Sequence, residues 1–333
     1  MTLHGHATPT AAFLAAHASG RMHHAWLLTG VQGVGKGSFA RSAARRLLAD
    51  AAGPRIDLPG IETPPDHRVA RLIEAGSHPD MMLLERLYRD KTKDFARSIT
   101  VDQVRGLSRL FATSPSFSPV RIVVVDAADD MERSGANALL KLLEEPPADA
   151  IFLLVSHAPA RLLPTIRSRC RVLRFEPLAQ DDMTAALRQA MPDGDAGEIA
   201  TLASIGDGAP GKAIRYAGLD VAGLDRVIES IVRSGDPDNG ERTALARSLA
   251  LKAAQPRYEA FLERLPTRIA TEARRRGSAG DGQPLADAVQ AWEKARALAG
   301  SAVRLSLDPQ TTVFELAGLL ASLHQTTGSP ARR

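Results

Sequence analysis

The stretch "GVQGVGKGS", residues 30–38, decides the fold expected for the first half of the chain. It nearly matches the phosphate-binding loop G-x-x-x-x-G-K-[ST], because Gly30, Gly35 and Lys36 have the required spacing. Such a loop joins a buried strand to a helix whose N-terminus faces an anion. The position after the lysine should carry a hydroxyl group, and here it carries Gly37. The sequence therefore predicts a P-loop that has lost one functional side chain.

The residues on both sides of the loop fit this prediction. "AWLLTG" (25–30) has the length and apolarity of a buried strand, and "KGSFARSAARRLLAD" (36–50) has the apolar spacing of a helix. Further apolar runs alternate with helical stretches and are predicted as strands at 81–88, 120–126, 151–156 and 171–175. Continuously apolar strands that alternate with helices are typical of a parallel sheet covered on both faces. The fold class expected is α/β.

Composition shifts along the chain predict three domains. The strand signal stops after Phe175, so a P-loop domain is expected over residues 1–178. Helical patterns then predict a small helical lid over 179–221 and an all-α domain over 222–333. The segment 51–80 is rich in proline, glycine and aspartate and is predicted to be loop with one short helix.

Bulk composition excludes several classes of protein. The 333 residues are 44% apolar and 24% charged, with a formal net charge of +4, so the chain is globular and mildly basic. Aromatic residues are scarce at 4%, which argues against a stacking platform for single-stranded nucleic acid. The single cysteine, Cys170, excludes an internal disulfide and a multi-cysteine zinc site. No signal peptide or membrane span is visible, and a cytoplasmic location is expected.

The P-loop supplies the candidate nucleotide site. Backbone N–H groups of residues 33–36 can wrap a phosphate, and the lysine can reach its oxygens. The candidate nucleotide-binding residues are Gly30, Gly33, Val34, Gly35, Lys36, Gly37 and Ser38. Ser38 lies about 100° further round the helix than the missing hydroxyl, so it is not expected to replace that group. We expect no bound metal, and ATP or ADP binding that is weak or absent.

A second acidic position follows the strand "RIVVVD". Asp126 ends this strand where the Walker-B aspartate of P-loop ATPases lies. Many such enzymes place a glutamate next, to orient the attacking water, and here the residue is Ala127. Asp129 and Asp130 belong to the following turn and are expected to cap a helix.

Several longer stretches resemble bacterial clamp-loader subunits of the AAA+ class. The resemblance is carried by "DAADDMERSGANALLKLLEEPP" (126–147) and "IFLLVSHAPARLLPTIRSRCRVLRF" (151–175), with support from "SGRMHHAWLLTG" (19–30) and "ITVDQVRGL" (99–107). It covers roughly residues 5–220 well, and the helical tail only loosely.

The resemblance implies an AAA+ domain, a helical lid and a helical collar that assembles into a hetero-oligomeric open ring. The implied partners are tau/gamma-type ATPase subunits and a delta subunit, and indirectly the sliding clamp and primed DNA. In this family ATP lies between neighbouring subunits. The arginine of the Ser-Arg-Cys motif, here Arg169, reaches into the adjacent site.

The chain departs from the ATPase members of this family in its own pocket. Gly37 replaces the Mg²⁺ ligand, Ala127 replaces the catalytic glutamate, and Gly211 stands where a second sensor arginine is usual. Together these losses favour a non-catalytic subunit that donates Arg169 in trans. The alternatives are an active clamp-loader motor and a P-loop kinase of small substrates; the kinase leaves the Ser-Arg-Cys segment unexplained.

Two further segments have simpler predicted roles. The segment 51–80 lies where the ATPase relatives carry a four-cysteine zinc module, and Cys170 is expected to be a core residue. The basic run "RIATEARRRG" (268–277) is predicted to be a solvated helix face.

Overall fold

A computed structural model describes residues 3–91, 93–112, 114–279 and 282–324. The chain divides into two compact units, Met1–Arg215 and Tyr216–Arg333. The finer boundaries expected at residues 178 and 221 stay predictions. No helix in the described part of the chain is both long enough and apolar enough to span a membrane.

The first unit is built on a five-stranded parallel sheet. Its strands are β1 (Ala25–Thr29), β2 (Met81–Glu85), β5 (Arg121–Asp126), β6 (Ala150–Ser156) and β7 (Arg171–Arg174), in the order β2-β5-β6-β1-β7. Neighbouring strands pair in parallel throughout this sheet. The central strands are buried on both faces, as their continuous apolar runs predict. The predicted α/β fold is therefore confirmed.

Helices cover both faces of this sheet. The helices up to the last strand are α1 (Ala7–Ala18), α2 (Lys36–Ala52), α3 (Arg68–Glu74), α4 (Val101–Arg105), α5 (Leu107–Ala112), α6 (Arg133–Glu144) and α7 (Pro164–Arg167). Three more helices follow the sheet and pack on one another: α8 (Gln180–Ala190), α9 (Ala196–Ile205) and α10 (Pro210–Arg215). Helix α2 buries Phe39, Ala43 and Leu47, which recur every four residues and so face the sheet together. Cys170 is half-buried against the core beneath the other face, and burial raises the pKa of its thiol to about 12.

The segment 86–98 differs from its prediction, in which the strand continues to residue 88 and "RDKTKDFARS" (89–98) is a charged connector. It contains two short strands, β3 (Tyr88–Arg89) and β4 (Asp94–Phe95), which pair in antiparallel fashion. The rings of Tyr88 and Phe95 lie 5.3 Å apart across this hairpin. Charged residues between them remove the alternating pattern from which a strand is predicted.

A buried arginine holds the Pro-rich segment in place. Arg46 of α2 is only 6% exposed and donates to four backbone carbonyls within residues 56–62. Its Nε also donates to Asp50, which accepts from the backbone N–H of Ile56. The predicted short helix of this segment is α3. Arg46 and Asp50 thus organise a segment that contains no metal-binding cysteines.

In its described residues the second unit contains helices and no strand, and it has its own hydrophobic core. Its helices are α11 (Val221–Ser234), α12 (Gly240–Leu249), α13 (Gln255–Ala279), α14 (Gly282–Ala302) and α15 (Pro309–Ala321). The core residues of this unit all lie between Leu224 and Leu323.

The basic run on α13 is not a simple solvated face. Glu272 and Arg276 are each only 4% exposed, and Arg276 donates to the carbonyls of Pro284 and Leu323. The pKa of Glu272 is lowered to about 2, mainly by the hydrogen bond from Arg275 and to a smaller extent by the hydrogen bond from Arg276. The prediction is wrong for these two residues, because the run supplies a paired, buried charge that joins α13 to its neighbours.

Candidate nucleotide cleft and a separate arginine

The P-loop adopts a backbone conformation that needs its glycines. Gly33 and Gly35 have φ values of +82° and +112°, in the region that side chains rarely adopt. Gly30 has a φ of +152°, and a Cβ there would overlap the carbonyl oxygen of Phe175. Strand β1 precedes the loop and α2 begins at Lys36, so the predicted strand–loop–helix context is present.

Lys36 is held on the carbonyl side of the loop. Its side chain is buried, and Nζ donates to the carbonyl oxygens of Gly30 at 2.7 Å and Val31 at 2.6 Å. Burial lowers the pKa of Lys36 to about 8, and the charges of Asp129 and Asp126 oppose this shift. The loop therefore encloses a cation that is costly to bury.

A cleft of about 390 Å³ opens beside the loop. Most of the predicted site residues line it: Gly33, Val34, Gly35, Lys36, Gly37, Ser38 and Asp126. Among the described residues, the lining of this cleft includes neither Gly30, whose carbonyl binds the lysine, nor Arg169.

The position expected for a divalent cation holds an arginine side chain. Arg41 Nη1 lies 3.1 Å from Asp126 Oδ2, and Arg41 Nη2 lies 2.9 Å from Glu85 Oε2. A Cβ on Gly37 would overlap the Asp126 carboxylate and lie 3.2 Å from Arg41 Nη1. Mg²⁺ requires oxygen ligands in near-octahedral geometry. With a guanidinium on the carboxylate and a glycine where the hydroxyl ligand would be, the residues do not fit Mg²⁺.

Among the described residues, no other metal centre replaces it. In the part of the chain that the structure describes, no group of three or more His, Cys, Asp or Glu residues is arranged to hold a metal ion.

The acidic turn after β5 joins two strands instead of capping a helix. Asp129 accepts hydrogen bonds from Ser156 Oγ at 2.8 Å, from the His157 N–H at 2.6 Å and from the Ala158 N–H at 3.2 Å. Asp130 forms an ion pair with Arg86 at 3.1 Å. The capping prediction is wrong, because β5 and β6 are parallel neighbours and their carboxyl ends meet at one edge of the sheet.

The His157 side chain lines the cleft. Burial lowers its pKa, and the nearby charge of Lys36 lowers it further. Within the described residues, its Nδ1 is buried with no hydrogen-bond partner. His157 therefore contributes to the cleft wall with one ring nitrogen that has no hydrogen-bond partner in the described part of the chain.

Helix α10 packs its N-terminus directly on the loop. The Gly211 N–H donates to the Gly33 carbonyl at 2.8 Å. A Cβ on Gly211 would lie only 3.0 Å from Gly33 Cα. An arginine at this position would not fit, and the adjacent Lys212 forms an ion pair with Asp207 at 2.7 Å.

Arg169 lies in the turn after α7, bonded to groups of its own surroundings. Its Nη2 is 2.8 Å from Glu144 Oε1 at the end of α6, and its Nη1 donates to the Thr165 carbonyl at 3.0 Å. The side chain is 35% exposed, and that of Glu144 is 42% exposed. Exposed ion pairs of this kind are weak, so Arg169 can change partner at little cost.

The sequence prediction missed Arg41, Glu85 and His6. Arg41 lies one helical turn after Gly37 and therefore on the same face, which is a signal that the spacing alone could have given. Glu85 ends β2 in register with Asp126 on β5. His6, at the start of α1, has Nε2 at 2.8 Å from the Val34 carbonyl, and nothing local in the sequence indicates this contact.

Comparison with known proteins gives consistent family matches. A family model described as "DNA polymerase III, delta subunit" matches residues 5–179. DNA polymerase III subunit delta' of Pseudomonas aeruginosa is 36% identical over 202 residues, which cover 60% of this chain and 57% of that protein. DNA polymerase III subunit delta' of Escherichia coli is 33% identical over 190 residues, which cover 53% of each chain.

A third relative carries a different subunit name. DNA polymerase III subunit gamma/tau of Mycobacterium tuberculosis is 36% identical over 169 residues, 51% of this chain and 27% of that protein. The match to the delta' relatives spans about half of their own length.

Proposed function

This chain belongs to the DNA polymerase III delta-subunit family, among relatives named delta', and we propose that it is a non-catalytic subunit of a bacterial clamp loader. In this role it supports ATP-dependent loading of a sliding clamp onto primed DNA. Its partners are tau/gamma-type ATPase subunits and a delta subunit in a hetero-oligomeric ring. Its own contribution is structural, together with one arginine given to a neighbouring ATP site.

The position of Arg169 carries this proposal. The side chain lies outside its own cleft lining, is partly exposed, and has an exposed glutamate as its charged partner. Exchange of Glu144 for a more highly charged phosphate would be favourable, because the arginine fork matches phosphate oxygens geometrically.

The cleft of the chain itself supports the same division of work. Ala127 supplies no acid, Gly37 supplies no hydroxyl, and Gly211 leaves no room for an arginine. A site without these groups cannot activate water or stabilise the charge that develops on a transferred phosphoryl group. The active-motor alternative requires all of these functions from residues that the cleft does not provide.

The arginine would act on a neighbour's reaction. As water attacks the γ-phosphorus and the bond to ADP breaks, negative charge develops on the transferred oxygens. A guanidinium placed there stabilises that charge, and such groups contribute ~10³–10⁵ in rate in the strongest systems. The loss in a ring with several sites should be smaller, because the other sites keep their own arginines.

The test is a loader reconstituted with its partner subunits and assayed for DNA- and clamp-stimulated ATPase. Arg169→Ala should keep the melting temperature and assembly of the wild type but reduce ATPase and slow clamp loading. Arg169→Lys should restore little, because a point charge lacks the fork geometry. Lys36→Ala is the matched variant in the chain's own cleft and should have a much smaller effect.

Two outcomes would contradict the proposal. The first is that Lys36→Ala damages the assembled loader as much as Arg169→Ala does. The second is that the isolated chain hydrolyses ATP at about 1 s⁻¹ or faster, in the ordinary enzyme range, and loses that activity with Lys36→Ala. Either result would favour the motor alternative.

A further inference from the structure

Two carboxylates face each other at the edge of the sheet beside the P-loop. Glu85 and Asp126 end the neighbouring parallel strands β2 and β5 and are paired in register. Adjacent strands are about 4.8 Å apart, so two negative charges at the same level repel each other strongly unless a cation lies between them. The arrangement requires a positive partner.

Arg41 supplies that partner from within the chain. One guanidinium nitrogen lies 3.1 Å from Asp126 and the other lies 2.9 Å from Glu85, so the side chain bridges the two carboxylates. The planar fork of arginine suits this task, because its nitrogens diverge in fixed directions. The Arg41 side chain is about as exposed as that of Arg169, but two carboxylates hold it at once, and the Asp126 side chain is only 20% exposed.

Gly37 makes this arrangement possible. It lies one turn before Arg41 on α2, and the Asp126 carboxylate lies against its Cα. A Cβ at residue 37 would lie 2.4 Å from Asp126 Oδ2 and 3.2 Å from Arg41 Nη1, so these side-chain ends would have to shift from their observed positions. The glycine at residue 37 therefore leaves the space in which Arg41 and Asp126 form their ion pair.

We propose that Arg41 is the resident cation of this cleft and holds Asp126 and Glu85 in place of a divalent metal. A nucleoside polyphosphate that enters the cleft therefore binds without metal. This inference rests on the proposed non-catalytic function, and it adds that the cleft excludes the metal that hydrolysis would need. It explains why the carboxylate of the Walker-B position is kept in a site that lacks the other metal ligand.

The inference is tested on the isolated full-length chain with Mn²⁺ as a spectroscopic probe for a divalent site. Titration followed by electron paramagnetic resonance should show no saturable site in the wild type up to about 1 mM Mn²⁺. Arg41→Gln frees both carboxylates and should gain one saturable site, which Arg41→Gln/Asp126→Asn should lose. Arg105→Ala is the matched control, because it removes an arginine from an exposed pair with Asp102 and should gain no site.

A second measurement uses the wild-type chain alone and so does not depend on how well a variant folds. The dissociation constant of ADP should be no tighter in buffer with Mg²⁺ than in buffer with EDTA, and weaker if Mg²⁺ removes free ADP into a complex that the cleft does not bind. An affinity for ADP that is about tenfold or more tighter in Mg²⁺ would overturn the inference. Absence of ADP binding in both buffers would contradict the claim that a nucleotide binds in this cleft without metal.

The Mn²⁺ titration has its own contrary results. A saturable site in the wild type that Asp126→Asn abolishes would show that Arg41 does not exclude metal. A folded Arg41→Gln protein that gains no site would show that the arginine does not stand in for a cation. None of these results depends on the ATPase assay of the reconstituted loader, which tests the role of Arg169 separately.

Discussion

Lys36 shows how a single residue can be retained for a backbone contact at an electrostatic cost. Its ammonium group donates to two loop carbonyls but is buried, and its pKa falls from 10.5 to about 8. Below pH 8 the lysine is charged in both the folded and the unfolded chain, and the folded state pays for burying that charge. Between pH 8 and 10.5 the folded chain has released this proton while the unfolded chain still holds it.

We therefore predict that the free energy of unfolding of the wild type rises relative to that of Lys36→Met between pH 8 and pH 10.5. The change should be on the order of 3 kcal/mol at most, from the size of the pKa shift. Urea unfolding of both proteins at pH 7.5 and 10 measures it. The exposed Lys141→Met is the control and should show a flat difference; a flat difference for Lys36→Met as well would contradict a lowered pKa.

At the level of elements, Arg46 fixes part of segment 51–80 through many contacts to one side chain, as a structural metal ion does in small metal-binding modules. One guanidinium satisfies four carbonyls and a carboxylate, so the loop is bound to α2 through a single buried side chain. Without it, these four carbonyls would lose their shared donor beside a cavity left by a buried side chain, which is costly.

Arg46→Ala should lower the free energy of unfolding by about 2–4 kcal/mol and increase amide hydrogen exchange across residues 56–62. Arg46→Lys should recover less than half, because one ammonium cannot reach all of these acceptors. Arg71→Ala, on an exposed face of α3, should stay within about 0.5 kcal/mol of the wild type. An unchanged exchange pattern in Arg46→Ala would mean that the segment is held by its apolar contacts alone.

The elements that the sequence predicted correctly are those with a local cause. Continuous apolar runs indicate buried parallel strands, and the glycine spacing before α2 indicates the P-loop, so both were predictable. The β3–β4 hairpin was not, because its strands are two residues each and carry charges. Periodicity has no signal at that length.

The site was predictable residue by residue but not as an assembly. Asp129 was predicted as a cap because local hydrogen bonding is the commonest role of such a residue, whereas its partners lie 27 to 29 positions away. Arg276 was placed on a solvated face because charge runs usually are solvated. In each case the deciding contact comes from a different element, and only the folded chain brings it close.

The whole molecule has a separate hydrophobic core in each unit. The cores of the first unit draw on residues between Phe13 and Phe175, and the core of the second on residues from Leu224 to Leu323. Units with their own cores are able to unfold separately. The two tryptophans report on them individually, because Trp26 is fully buried in the first unit and Trp292 packs against the core of the second.

Two single-tryptophan proteins, Trp292→Phe and Trp26→Phe, allow each unit to be followed by fluorescence during urea unfolding. Leu48→Ala removes a fully buried side chain of the first unit, and Phe261→Ala does the same in the second. Each should destabilise its own unit by about 2–5 kcal/mol, from the lost burial and the cavity left behind. Because the cores share no residues, Leu48→Ala should shift the Trp26 transition and leave the Trp292 transition within about 0.5 kcal/mol, and Phe261→Ala should do the reverse. A shift of both transitions by either substitution would show that the chain unfolds as one cooperative body and that neither unit is stable without the other.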